Sequence, residues 1–377
     1  MGVTPRMTTV TVGIVGTGFG AQVHLPAFRR LSAVTVAGIA GQDRDKTARV
    51  AQAQGVPTAY GSWQALIDDK KIEAVVIAVP PRFHCEMVLR ALEAGKHVLC
   101  EKPFGVDPVE AASMLEKARH SDLVCMVDYQ FRMAPERIRL KELLEAGAIG
   151  RVRRVTVEWT VRGRAAGNRA WSWQFDPTVG GGVLFAFGSH VVDYLQWLMG
   201  PAKSVTAHLS TRGGPAVMGP DARPAAADTL DGILLLQDDI PASITISNAT
   251  PGGRGHWLTV YGERGALVVG NPNQADAVIG TCLYESDPTT GVLREVPVSA
   301  PSTDGLSDGR TLLVGRLAET FASAIRAGTP TAPSFEDGWR AQVVMQAMRE
   351  AHERRRWMPV DMPGGRGRSW SHVRRTP

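Results

Sequence analysis

TVTVGIVGTGFGA, Thr9–Ala21, decides the fold. An alternating, β-branched run stops at Gly16 and gives way to Gly16, Gly18, Phe19, Gly20 and Ala21, a G-x-G-x-x-A spacing that opens a helical stretch. Glycine lets a backbone come close to a pyrophosphate, and the helix N-terminus that follows offers N–H donors and a favourable dipole. A glycine spacing alone also fits a tight turn. Its place between a strand and a helix, at the head of a βαβ series, makes it a dinucleotide-binding turn.

Outward from that turn, short apolar runs alternate with helical stretches. VTVAGIA (34 to 40), EAVVIAV (73 to 79), KHVLC (96 to 100) and LVCMV (123 to 127) read as strands, with helices at Ala48 to Gln54 and Met87 to Ala94. This is the rhythm of a doubly wound parallel sheet, a Rossmann domain over residues 1–127. After Asp128 the rhythm changes. A helix near Pro135 to Glu145 ends at Gly147, and RVTVEWTV, SVTAHLST, DGILLLQ, ASITISN, WLTVYG and ALVV then follow without regular helices between them. They predict a C-terminal α/β domain, 128–361, built on an open, mostly antiparallel sheet. Two helices, near 310 to 327 and 336 to 355, precede a basic tail at 362–377.

Composition excludes several classes. At 377 residues the chain exceeds one ordinary core, and its 44% hydrophobic and 21% charged content is that of a globular protein. No apolar run approaches the ~20 residues that span a bilayer, so no membrane association is expected. The net charge of +5 is concentrated at Arg366, Arg368, Arg374 and Arg375, which argues against a nucleic-acid footprint on the folded body. Cys85, Cys100, Cys125 and Cys282 show no metal-ligand spacing and read as reduced thiols, so no metal is expected. MGVTPRMTT lacks a secretory core, Met7 could serve as a start, and a cytoplasmic location is expected.

The acid that would hold the adenosine ribose is due about 20 residues beyond the glycine turn. Gly41 stands there, with Gln42, Arg44 and Lys46 behind it, which favours NADP over NAD, although Asp43 and Asp45 blunt the preference. Two strand ends then face the crevice. The third ends in VPPRFH, with Pro80 and His84, and the fourth in LCEKPF, where Glu101 and Lys102 stand at the tip. Charges at the carboxyl edge of such a sheet mark a site, and a lysine partly desolvated beside a cationic nicotinamide would exchange protons near neutral pH.

On Glu101-Lys102-Pro103, the turn with His84, and DYQFR (128 to 132, where Gln130 stands in place of a frequent asparagine), the chain resembles the Gfo/Idh/MocA family. The resemblance runs from about Thr9 to about Val360. Its second mark is GGGVLFAFGSHVVDYLQWL, Gly180 to Leu198. Read as a helix, this segment puts Leu184, Phe187, Val191, Leu195 and Leu198 on one face and Ala186, His190 and Asp193 on the other. The sequence departs from the family at Ala186, where relatives have an aspartate. The resemblance implies an NAD(P)-dependent oxidoreductase that interconverts a carbonyl and a secondary alcohol on a sugar, cyclitol or sugar-derived substrate. Lys102 and His190 would handle the proton, with Glu101 orienting Lys102. Gln130, Arg132, Trp173, Ala186 and Asp193 would meet the substrate, and the open sheet would form a homodimer or homotetramer. An NAD-dependent glycoside-cleaving enzyme and a non-catalytic cofactor-binding regulator are the alternatives.

Overall fold

The computed structural model describes residues 9–163, 171–213, 225–299 and 308–362. Met7 and tail residues 363–377 lie outside them. The first sheet contains β1 (Val10–Val15), β2 (Val34–Ala40), β3 (Thr58–Tyr60), β4 (Ala74–Ile77), β5 (His97–Cys100) and β6 (Cys125–Val127). Their order is β3-β2-β1-β4-β5-β6, and every pair is parallel. Helices cover both faces: α1 (Leu25–Arg29), α2 (Arg44–Ala53), α3 (Trp63–Asp68), α4 (His84–Glu93) and α5 (Pro108–Arg119). A strand covered on both sides has no wet face, which is why β4 is buried at every position and reads as an unbroken apolar run. β3, only three residues long, is too short to show a period.

The second half begins with α6 (Pro135–Glu145) and β7 (Val152–Thr160), then α7 (Ser189–Met199), β8 (Ser204–Ser210), β9 (Thr229–Leu235), β10 (Pro241–Ser247), β11 (Gly255–Gly262) and β12 (Ala266–Asn271). β13 (Cys282–Ser286) and β14 (Leu293–Glu295), both partly polar, extend the edge; α8 (Arg310–Ala327), α9 (Phe335–Arg354) and β15 (Met358–Pro359) follow. The nine strands run β14-β13-β12-β11-β7-β10-β9-β8-β15, with β7 and β10 parallel and the other pairs antiparallel. One face buries Leu234, Ala242, Ile244, Val155, Val157, Leu258 and Val260. The other carries Ile233 and Tyr261, both exposed.

A linear division at 127/128 is crossed by the last two helices. Leu317 and Phe321 of α8 are fully buried in one core with Ile14, Leu25 and Phe28 of the first domain. At the start of α9, Phe335 packs on Phe104 with ring centroids 4.5 Å apart, and Gln342 donates to Gly105 O. The chain therefore returns to the Rossmann domain after building the second sheet. The segment leading into α7 lies against the chain that follows β4 and β5.

Candidate active site

The glycine turn is shaped by its own packing. Gly16 has φ +131°, and a Cβ there would stand 2.2 Å from Ala78 O at the end of β4. Only glycine permits that approach. Gly18, by contrast, is exposed, with nothing within 4 Å of where its Cβ would be, so the turn is closed on the sheet side and open toward the crevice. Ala21 and Gln22 donate their N–H groups to Gly18 O, and a π-helical turn, Gly20–His24, leads into α1. Arg310 at the start of α8 places its guanidinium 5.0 Å from the Phe19 ring centroid, a cation beside the turn.

At the second-strand position the expectation is refined. Gly41 is wedged, since a Cβ would come within 2.7 Å of both Thr17 Cγ2 and Thr47 Oγ1. A side chain there would have to displace two threonine side chains, so packing favours glycine whatever the cofactor. Gln42 is exposed, and Arg44 reaches across to donate from Nε to Gly61 O. Asp43 is occupied as the cap of α2, accepting from Lys46 N–H.

The tips of β4 and β5 are locked together. Glu101 N–H donates to Ile77 O, and buried His84 has Nε2 2.9 Å from Val79 O and Nδ1 3.1 Å from Pro103 O. His84 thus braces the two strand ends, while half-buried Pro80 sits beside it at the rim. The triple glycine docks on this pair. A Cβ on Gly180 (φ +85°) would stand 3.2 Å from Pro81 Cβ, and one on Gly181 would enter Trp173 O and Asp176 O at 2.7 and 2.5 Å. Trp173 therefore supports the turn through its backbone, and its side chain is half-buried. The expected single helix from Gly180 starts only after Gly182 (φ +96°), as a π-helical turn, Leu184–Gly188, which runs into α7. Positive φ at two of the three glycines forbids a regular start.

That docking brings the two marks of the sequence together. Lys102 Nζ donates to Ala186 O at 3.0 Å across 84 residues of chain. One turn on, His190 is 3% exposed, and its ring meets Phe131 edge-on at 4.7 Å. Its Nδ1 has no hydrogen-bond partner among the described residues. Burial first, then the nearby charges of Lys102 and Arg137, push its pKa well below the ordinary histidine range, so it is neutral. Asp193 is on the same face but is taken by Arg132, whose Nε and Nη2 reach its two oxygens at 2.9 and 2.5 Å; Nη2 also reaches Asp337 at 3.0 Å. Both are buried. Arg132 and Asp193 thus form an ion pair that fixes α7 to the 128 to 132 segment. Gln130, 2% exposed, is turned to Asp128.

Sequence reasoning passed over three residues here. His24, wholly buried, has Nε2 2.7 Å from Glu101 Oε1, and Asp128 lies against both. Arg310 was hidden by its 290-residue distance from the glycine turn. A histidine three residues past the motif's last alanine was the available signal for the first.

The family description "Oxidoreductase family, NAD-binding Rossmann fold" matches residues 10–129, and "Oxidoreductase family, C-terminal alpha/beta domain" matches 141–360. An uncharacterised oxidoreductase of Synechocystis sp. is 35% identical over 361 residues, 94% of this chain and 97% of that one. A levoglucosan dehydrogenase of Pseudarthrobacter phenanthrenivorans is 26% identical across 95% of this chain and 99% of its own, and a D-xylose 1-dehydrogenase (NADP(+)) of Haloferax volcanii is 31% identical across 63% and 70%. Among solved structures, levoglucosan dehydrogenase in complex with NADH and levoglucosan shares the fold with a TM-score of 0.85, at 24% identity over 94% of this chain and 100% of that one. With both halves matched, and with a glycine turn and a lysine-bearing strand tip facing one crevice, the chain belongs to the Gfo/Idh/MocA family of NAD-binding oxidoreductases.

Proposed function

We propose that this protein oxidises a secondary hydroxyl of a sugar or anhydrosugar, or reduces the matching carbonyl, with Lys102 exchanging the proton of the reacting oxygen. The observation that carries this reading is the seat of Lys102, anchored through Nζ to Ala186 O where the two domains meet at the carboxyl edge of the first sheet. The crevice fits a dinucleotide, because the turn is open only at Gly18 and the Arg310 cation lies beside it. Gly16, Gly18, Phe19, Gly20 and Ala21 would hold the diphosphate, and Gly41, Gln42 and Arg44 would border the adenosine end. The nicotinamide, when bound, supplies the hydride exchange.

The hydrogen bond to Ala186 O fixes the direction of the Lys102 ammonium beside the crevice, where a substrate oxygen would meet it. Neutral His190 can orient that oxygen by hydrogen bonding, and burial that disfavours its charged form supports Lys102 as the proton donor in the reducing direction. The substrates named for two relatives, levoglucosan and D-xylose, support a sugar-sized ligand. With no carboxylate at Gly41 to repel a ribose phosphate, NADP binds at least as well as NAD. The exposed sheet face with Ile233 and Tyr261 is assigned to a second copy of the chain.

The test is a panel of aldopyranoses, levoglucosan and cyclitols with NAD and NADP, following the near-ultraviolet absorbance of the reduced nicotinamide. A rise with a sugar supports the reading. Sugar release from a glycoside without that rise points to the redox-neutral alternative, and silence with both cofactors on every substrate contradicts catalysis of this kind.

A further inference from the structure

Three ionisable side chains beneath Lys102 are not used by the reaction just described. His24 is 0% exposed, Asp128 0% and Glu101 7%. His24 Nε2 lies 2.7 Å from Glu101 Oε1 and 3.3 Å from Asp128 Oδ2, and Glu101 Oε2 accepts the backbone N–H of Lys102 at 3.2 Å. With its amide turned to satisfy both ends, Gln130 donates to Asp128 Oδ1 at 3.1 Å. Asp128 Oδ2 is left with no donor in hydrogen-bond geometry among the described residues, although it is sealed from water and faces the Glu101 carboxyl.

Two carboxylates side by side in a dry site cannot both ionise without a large cost. An imidazolium could offset one of them, but His24 Nδ1 also lacks a partner, so charging the ring would bury a second N–H with nothing to accept it. Burial accordingly holds His24 below the ordinary histidine range, while burial and the neighbouring Glu101 raise Asp128 well above the ordinary carboxylate range. The other groups that face the pair are the buried Cys100 thiol, Lys102, and Arg310 of α8, which is itself held by Asp308. A metal ion is the competing occupant of these three ligands. Yet 2.7 Å is a hydrogen-bond length, whereas ligands around a tetrahedral ion at about 2.1 Å stand roughly 3.4 Å apart.

We propose that Glu101 and Asp128 hold a single proton between them, with neutral His24 donating from Nε2 to Glu101, and that this pair sets the charge beside Lys102. Asp128 and His24 are then positioning residues, and this part rests on the reading of Lys102 given above. With the proton in place the pair carries one negative charge, which balances the ammonium. Loss of the proton at higher pH makes two negative charges and holds the proton on Lys102 more tightly.

Infrared difference spectroscopy of the full chain at neutral pH reads the pair directly. A carboxylic-acid C=O band is expected that shifts in D2O and is lost in both Asp128→Asn and Glu101→Gln. In Asp128→Asn, the pH profile of kcat/KM is expected to lose one ionisation. Should Asp128→Asn fail to fold, Glu101→Gln carries the spectroscopic test alone. Absence of the band, its persistence in both variants, or a stoichiometric metal in the wild type that Asp128→Asn loses would each overturn the proposal. Lys102→Ala is expected to keep the band. Full turnover in Lys102→Ala with the band intact would defeat the assignment of Lys102 and leave the shared proton standing.

Discussion

Ala186 is the residue at which this chain parts from its family pattern, and its position gives that departure a consequence. Its carbonyl, not its side chain, holds Lys102. The anchor is therefore independent of the side chain, and a carboxylate at this position would act on substrate hydroxyls instead. A site built to accept from a hydroxyl discriminates strongly against ligands that lack it. We expect Ala186→Asp to raise kcat/KM for free polyols such as inositol relative to anhydrosugars and ketones, by about 10-fold for one well-placed hydrogen bond; an unchanged ratio between the two panels would show that this position does not select. Asp128 gives a second test at this scale. A carboxyl whose folded pKa is raised contributes stability that is present below its unfolded pKa and lost as pH rises toward the folded value. Asp128→Asn escapes that loss, so as pH rises above about 4 its unfolding free energy should climb relative to wild type, at a slope of at most about 1.4 kcal/mol per pH unit. An ionised Asp128 paired with a charged His24 would produce the opposite trend.

The triple glycine is the element on which the assembly of the site turns. Gly180 sits at φ +85° with Pro81 and Pro103 where a side chain would be, and this contact sets Ala186 against Lys102. Gly180→Ala should cost about 1–2 kcal/mol from the left-handed backbone alone. It should also lower kcat more than it weakens cofactor binding, because it displaces α7 and not the glycine turn; equal losses, or none, would separate the docking from catalysis. Much of this architecture was legible beforehand. Five strands of the first sheet and six of the second announce themselves through apolar runs or alternation, and the two terminal helices lie where the sequence places them, near 310 to 327 and 336 to 355. The glycine spacing and Glu101-Lys102 located the crevice. What remained hidden was non-local or local in scale. Arg132 and Asp193 each looked like ligand contacts because a buried ion pair between residues 61 apart leaves no trace in spacing. His84 looked like a crevice residue because the two carbonyls that brace it come from different loops. Gly41 read as a missing acid, and only packing revealed Thr17 and Thr47 against it.

For the molecule as a whole, the chain's return through α8 makes the two domains interdependent. Leu317 and Phe321 complete the first domain's core, and each contributes about 1.5–3 kcal/mol on full burial. A fragment ending near residue 134 should therefore lack a cooperative melt and bind NAD(P) poorly, as read by circular dichroism and cofactor fluorescence; cooperative folding with normal binding would show that α8 is dispensable. The two domains together seat a lysine, held by one on the carbonyl of the other. Turnover of Lys102→Ala on a sugar that the wild type oxidises, measured alongside NAD(P)H binding to the same variant, tests its role in proton transfer. Cofactor affinity is expected within about 3-fold of wild type and turnover lower by about 100-fold or more, the scale of a lost proton-transfer group. Undiminished turnover with the cofactor bound would contradict that role.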